Sequence, residues 1–302
     1  MSRLKKISGF FIVTLIMIMS VKTSYSQQEP MYTQFIDNLL IVNPGFAGSI
    51  ESGRLKLASR NQWVSIPGAP ITRSISYNEL ISKNVGLGCS IMYSKIGPQK
   101  QTGVYFDYSY FLKMNENYSL GIGLKAGASF YRASLTDLVT IEPDPIYAKD
   151  IYKNVLPNLG VGFFLFSDDS YFGLSIPKLI ENSITREGYT TNYVNKQKIH
   201  AYAVAGKDFI FNSDFQMKVN GLIKYVNNAP LSLQISTLAG FRELFWVGGM
   251  VRIGDSYGII TQFKPTEKLT IGYSYDITTS ELSIFSNGTH EIMLGYNFNF
   301  FH

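Results

Sequence analysis

A transmembrane antiparallel β-barrel of about 14 strands is the fold class that this 302-residue sequence predicts. Three observations carry that expectation. Stretches of roughly 10 residues alternate apolar with small or polar side chains, the period-two pattern of strands with one face in lipid and one in a lumen. Aromatic residues make up 14 % of the chain and charged residues only 16 %, well below the roughly 25 % charge of a soluble domain. Beyond the N-terminal region, no run of roughly 18 apolar residues exists to form a helical span. A closed barrel then remains, because every backbone group in lipid must pair internally. A soluble β-sandwich would alternate too, but the aromatic content, the low charge and the glycine-rich polar face argue against it.

The first element is an export signal over 1–26. It has a basic n-region (Arg3, Lys5, Lys6), an apolar h-region from Ile7 to Val21, and small residues at Ser24 and Ser26. Cleavage is expected before Gln27. The h-region is short for a membrane anchor, and no cysteine follows it to take a lipid. This segment also decides the charge. The chain has 27 Lys+Arg against 22 Asp+Glu; without Arg3, Lys5, Lys6 and Lys22 the balance is 23 against 22. A near-neutral mature chain gives no footprint for nucleic acid. Cys89 is the single cysteine, so no intramolecular disulfide can form.

The second element, 27–53, contains "YTQFIDNLLIVNPGFAGS". It is too apolar for a solvated tail and too broken for a long helix or strand. It is expected to pack at the periplasmic mouth or to enter the lumen like a plug, anchored by Phe35, Leu39, Leu40 and Phe46. Asn43-Pro44 with Gly45 and Gly48 would turn the chain into the barrel. A short amphipathic helix at the periplasmic rim is the alternative.

The barrel is expected over 54–302. Strands should begin near Arg54, Ile71, Val85, Gly103, Tyr118, Leu156, Ser170, Lys198, Phe215, Leu231, Leu244, Ser256, Lys268 and Glu291. In "YSLGIGLKAGASFY", Leu120, Ile122, Leu124 and Phe130 face one way, and Gly121, Gly123, Lys125 and Ser129 the other. An even count puts both ends in the periplasm. The longest gaps, 132–154, 178–197 and 278–289, all follow odd strands and so fall outside. The last strand carries a glycine followed by spaced aromatics (Gly295, Phe298, Phe300), the pattern of a barrel-assembly signal, although Met293 stands where a polar residue is usual.

Catalytic chemistry is not readable. His200, His290 and His302 are scattered and read as surface or strand residues. Asp137, Glu142, Asp144 and Asp150 gather in one outer loop, but without the fixed ligand spacing of a calcium site. The glycines of "GLGCS" and "GVGFF" precede no helix that would make a phosphate loop. Cys89 is in phase with Leu87 and Ile91, hence lipid-facing. Lys125, Lys218, Lys224 and Arg252 fall on or near lumen positions. There they either pair with internal acids, tune a channel or hold an inserted partner. In "QWVSIPGAP", Pro67, Gly68 and Pro70 make a rigid turn and Trp63 suits the membrane interface. Asp276, ending its strand, caps or pairs within the outer loop.

Three stretches in order give a resemblance: "QQEPMYTQFIDNLLIVNPGFAGS", "SRNQWVSIPGAPITRSISYN" and "GYSYDITTSELSIFSNGTHEIMLGYNF". Together they resemble the PorP/SprF family of the type IX secretion system. Gln28, Pro30, Gln34 and Phe35 fill the family's first pattern, and Asn43, Pro44, Ala47 and Gly48 its second. Trp63 follows Gln62 and precedes Gly68, Ala69 and Pro70; the close comes on Tyr275-Asp276 and then His290-Glu291-Ile292. Glu29-Pro30 departs from the family's usual Asp-Pro, and Val64-Ser65-Ile66 lacks a glycine often seen there. The resemblance implies a non-enzymatic outer-membrane barrel without a cofactor or metal. It implies contact with outer-membrane lipid, with a secreted surface adhesin bearing a type IX C-terminal domain, and with periplasmic type IX components. Gln34, Phe35, Asn43, Pro44, Ala47, Gly48, Trp63, Gly68, Ala69, Pro70, Tyr275 and Asp276 are the candidate contact positions. A porin or hydrophobic-substrate transport channel is the alternative function.

Overall fold

A computed structural model describes residues 31–50, 52–138, 149–184 and 196–298. Fourteen strands close into one antiparallel barrel. They are β1 (Gly53–Asn61), β2 (Ile71–Ser82), β3 (Val85–Ile96), β4 (Gln99–Lys113), β5 (Ser119–Ala133), β6 (Ile151–Phe166) and β7 (Ser170–Lys178). The second half is β8 (His200–Ile210), β9 (Phe215–Val226), β10 (Ser232–Phe241), β11 (Phe245–Arg252), β12 (Ser256–Phe263), β13 (Leu269–Thr278) and β14 (Thr289–Phe298). Each strand pairs with its sequence neighbour, and β1 closes on β14 from Gly53 opposite Phe298 to Asn61 opposite His290. Closure leaves no unpaired edge, which is what a strand structure in lipid requires.

Both barrel ends, Gly53 and Phe298, lie at one rim. The connections there are short: 83–84, 114–118, 167–169, 211–214, 242–244 and 264–268. The opposite rim carries 62–70, 279–288 and the described ends of the connections from β5 to β6 and from β7 to β8, with three shorter turns between. Short turns beside the barrel ends mark the periplasmic side, and long loops the outside.

Two strands start earlier than their alternation suggested. β4 begins at Gln99, because Gly97, at φ 53, lets a two-residue turn fold β3 directly onto β4. β6 begins at Ile151 and pairs outward with β5 past a register shift between Ser129 and Tyr131, next to Pro157. Proline cannot donate to the ladder, so the alternation is interrupted there and the outer half of the strand is hidden from a pattern search.

Alternation sorts the two faces. Leu87, Cys89, Ile91, Phe106, Leu124, Phe130, Ile259 and Ile292 are on the exposed outer face. Lys56, Arg60, Asp107, Lys125, Gln234, Arg252, Asp276 and Glu291 are buried on the inner one. The main apolar cluster of the protein is inside the barrel. It consists largely of Tyr32, Phe35, Leu39, Leu40, Ile41, Val42, Phe46 and Ala47, set against Phe164, Tyr202, Val204 and Leu222 of the wall.

Candidate functional site

The lumen is occupied by the chain's own residues 31–50. Their sequence explains their shape. A 3-10 turn (Phe35–Asn38), one α-helical turn (Leu39–Val42) and a second 3-10 turn (Pro44–Phe46) follow one another. Asn43 ends the α-helical turn and starts the next: its side-chain Oδ1 accepts from the Gly45 amide at 2.9 Å, with Pro44 at the first position. Proline costs nothing there, since its missing N–H has no intrahelical partner. Gly48 then takes φ 75, the left-handed conformation that favours glycine.

This segment runs from the outer half of the lumen to the periplasmic rim. Near the rim, wall glycines make room for it. A side chain at Gly123 would collide with the backbone of Pro44 and Gly45, and one at Gly86 with the carbonyl of Ala47. The Phe46 ring meets Phe164 edge-on at 5.3 Å. Asn43 Nδ2 donates to the Phe163 carbonyl at 3.0 Å, and Ser109 Oγ to the Gly45 carbonyl at 3.1 Å. Replacing Gly123 with leucine is therefore expected to lift this part of the plug, at about 1–3 kcal/mol for overpacking. Val42→Cys in a Cys89→Ser background reports it: a water-soluble maleimide should label that cysteine several-fold faster in the Gly123→Leu variant. Equal labelling rates would contradict the packing described here.

Toward the outer end, charge replaces close packing. Arg60 of β1 sits between two carboxylates, with one guanidinium nitrogen 2.8 Å from Asp276 Oδ2 and the other 3.0 Å from Glu291 Oε2. Arg60 and Glu291 are directly opposed across the β1–β14 ladder. The two acids also hold the plug. Glu291 accepts the backbone amides of Thr33 at 2.8 Å and Gln34 at 2.9 Å, and Asp276 accepts the Thr33 hydroxyl at 2.6 Å. Arg60 donates to the Thr33 hydroxyl oxygen at 2.6 Å. All three charged side chains are almost completely buried. Dry charges of this kind are tolerated only when each is paired and hydrogen-bonded.

Three further ties run along the plug. Arg252 donates to Gln234 Oε1 at 2.8 Å, and Gln234 Nε2 donates to the carbonyls of Tyr32 and Thr33 at 3.2 and 3.0 Å. Lys56 pairs with Asp37 at 3.3 Å, and Gln262 donates to the same carboxylate. Lys125 pairs with Asp107 at 2.8 Å and reaches the Leu40 carbonyl at 3.3 Å. Short turns leave carbonyls and amides that no regular structure satisfies, and the wall supplies the partners.

The outer rim is stapled as well. In loop 62–70, Val64 donates to the Gly288 carbonyl at 2.9 Å, and Asn287 donates back to the Val64 carbonyl at 2.8 Å. Gly97 donates to the Gly68 carbonyl at 2.8 Å. Trp63 and Ser65 hold φ 47 and 83, left-handed values that a non-glycine residue keeps only when its surroundings enforce them. The Tyr275 hydroxyl donates to the Asn287 carbonyl at 3.2 Å.

The candidate positions therefore fall in two places. Gln34, Phe35, Asn43, Pro44, Ala47 and Gly48 are buried within the lumen, where a seated plug offers them no outside partner. Trp63, Gly68, Ala69, Pro70 and Tyr275 belong to the stapled outer rim. Asp276 is a correction: it does not cap or pair in the outer loop. It is still within β13, and alternation turns it into the lumen against Arg60. Gly295 is buried beside Lys56, Phe298 sits half-buried at the barrel's end next to Tyr77, and Phe300 lies outside the described residues. Lys125 pairs with the buried Asp107 inside the lumen, whereas Lys218 pairs with the part-exposed Asp208 near the periplasmic rim and Arg252 with the part-exposed Asp255 of an outer turn; Lys224 is buried on the inner face. Asp150 accepts from Thr136, whereas Glu142, Asp144 and His302 lie outside the described residues. Arg60, Glu291 and Thr33 were not among the candidates. Arg60 and Glu291 had a usable signal, since period two puts both on the lumen face of strands that must meet when the barrel closes.

A family model, described as type IX secretion system membrane protein PorP/SprF, matches residues 24–296. A search of curated proteins finds no match. Among solved structures, the chain is similar to the CymD monoaromatic hydrocarbon channel at 12% identity and TM-score 0.51, covering 87% of this chain and 92% of that one. It is similar to the outer membrane protein Omp33 of Acinetobacter baumannii at 9% identity and TM-score 0.48, covering 82% and 98%. The P. putida toluene transporter TodX gives 7% identity and TM-score 0.48, covering 88% and 94%. At such identities the likeness concerns the barrel fold alone.

Proposed function

This chain belongs to the type IX secretion system membrane protein PorP/SprF family, and from that premise we propose that it is an accessory barrel of the outer membrane. It acts without catalysis, and it serves the export or surface anchoring of a secreted adhesin bearing a type IX C-terminal domain. Its first 26 residues direct export and are removed. The observation that carries this reading is the filled lumen: residues 31–50 are locked inside by the Arg60, Asp276 and Glu291 cluster. A barrel blocked by its own buried segment is poorly built to pass free solutes and well built as a rigid support. The stapled outer rim, with Trp63 and Ser65 held in enforced conformations, presents a fixed surface to a partner outside, and the short periplasmic turns face the periplasmic components. Deleting the gene and labelling intact cells with antibody to the adhesin encoded beside it tests the proposal. Surface label should fall to background and return on complementation; unchanged display would overturn it. A free porin would instead conduct as the purified full chain in planar bilayers.

A further inference from the structure

At the periplasmic rim the plug stops short of filling the barrel. A vestibule of about 200 Å³ opens there between the plug, the β6–β7 turn and the ends of β9 and β12. Phe46, Phe164 and Phe166 give it an apolar lining, and Arg54, Lys218 and Lys264 a cationic one. The two lysines are clamped on one ring: their ammonium groups lie 4.9 and 5.0 Å from the centroid of Trp246.

Acids line the vestibule too, but most are already matched. Asp37 pairs with Lys56, Asp169 with Lys207 and Asp208 with Lys218; Asp168 is exposed on the turn. Among the described residues, Arg54 and Lys264 have no carboxylate within ion-pairing distance. Arg54 donates through Nε to Asn297 Oδ1 at 3.1 Å, and Lys264 rests on the indole. Burial, and next to it the Lys218 ammonium, holds the Lys264 pKa below the ordinary lysine value. The lining holds four carboxylates and three cations, and its unpaired positive charge is confined to Arg54 and Lys264, with Asp37 the lining acid that acts on both from beyond contact.

Asn220 is an independent observation. It is 3% exposed and lines the same vestibule. Its Oδ1 accepts the Tyr171 hydroxyl at 2.9 Å, while its amide nitrogen has no acceptor among the described residues. A buried donor left unmatched by protein atoms is costly, and in a vestibule open to solvent its partner is water or a guest. Two unmatched cations, an unmatched amide and an aromatic lining together describe a receptor for a carboxylate on an apolar body. About 200 Å³ leaves room for the end of an extended chain.

We propose that this vestibule binds the C-terminal carboxylate of a partner polypeptide whose last residue is apolar. The carboxylate lies between Arg54 and Lys264 with the Asn220 amide as a further donor, and the side chain rests against the phenylalanines. The proposal does not rest on the adhesin role: a barrel with any periplasmic partner could carry it.

The purified full chain in detergent is titrated by fluorescence anisotropy with a labelled glycine-serine pentapeptide ending in leucine, as the free acid and as the amide. The acid should bind saturably and the amide at least about tenfold more weakly. Arg54→Gln with Lys264→Gln should weaken the acid by about tenfold or more and leave the amide unchanged, while Lys264→Arg keeps binding. Heat-shifted gel migration confirms that each variant is folded. Decanoate serves as a competitor. If it binds more tightly than the peptide acid, the site belongs to a free amphiphilic carboxylate and the chain-end assignment fails. Equal affinity for acid and amide, or no binding at about 1 mM, overturns the proposal outright.

Discussion

Arg60→Met should destabilise the folded barrel by about 3–5 kcal/mol, the usual cost of removing one partner from a buried ionic cluster. Methionine comes close to the volume of the arginine stem, so little of the loss is packing. What changes is that Asp276 and Glu291 stay buried without their cation, and the Thr33 hydroxyl loses one of its two partners. Two carboxylates facing one another in a dry site then repel, and relief comes from a proton taken up by one of them or from water. Water can arrive only if residues 31–34 lift away, because their amides cover Glu291. Plug release is thus the expected response, with the strand ladder intact. Urea titration in detergent, followed by the gel shift between folded and unfolded barrel, gives the stability. Labelling of Val42→Cys gives the release. Arg60→Lys should recover only part of the loss, since one ammonium cannot repeat the two-pronged contact. If Arg60→Met unfolds within about 0.5 kcal/mol of the parent, as a surface change would, the cluster is not what holds the plug.

The strands were legible because lipid imposes a strict period on them. Ile271, Tyr273 and Ile277 cannot face inward without turning Thr270, Ser274 and Asp276 into hydrocarbon, so the register was constrained at every step. It failed only where proline or a tight glycine turn broke the period, at the starts of β4 and β6. The plug was legible in part. Its apolar anchors and its Asn-Pro and glycine breaks pointed to a sheltered, bent segment, but nothing local says which wall residues receive it. That information is in pairs far apart in sequence: Thr33 with Glu291, Asn43 with Phe163, Gly45 with Ser109. The wall glycines gave a hint of it. A lumen face rich in Gly86, Gly121, Gly123 and Gly162 is poor at filling its own interior, and those are positions where the plug lies directly against the wall, by its backbone at Gly86, Gly121 and Gly123 and by the Asn43 and Pro44 side chains at Gly162. The three family motifs also have a shared physical reason. Thr33 and Gln34 belong to the first, Arg60 to the second, and Asp276 and Glu291 to the third, and all five meet in one hydrogen-bonded cluster.

Excising residues 31–48 should turn a silent barrel into a conducting one. The ladder does not depend on the plug, because all fourteen strands pair with one another through their backbones. Barrel diameter grows with strand number; about 8 strands are filled by their own side chains and 16–18 leave an aqueous channel. A barrel of 14 strands lies between these, and glycines along one side of this lumen leave space that wall side chains do not occupy. The remaining lining, with Lys56, Arg60, Asp107, Lys125, Asp276 and Glu291, is polar enough to hydrate once the apolar plug has gone. The excised chain should also be less stable by several kcal/mol, since Phe35, Leu39, Leu40 and Phe46 each bury a large apolar side chain worth about 1.5–3 kcal/mol. Single-channel recording in planar bilayers would show discrete current steps for the excised chain, a quiet baseline for the full chain, and brief openings for Arg60→Met. The order matters more than the size of the current. If the full chain conducts as well as the excised one, the plug does not seal the lumen, and the accessory-barrel reading loses the observation on which it stands.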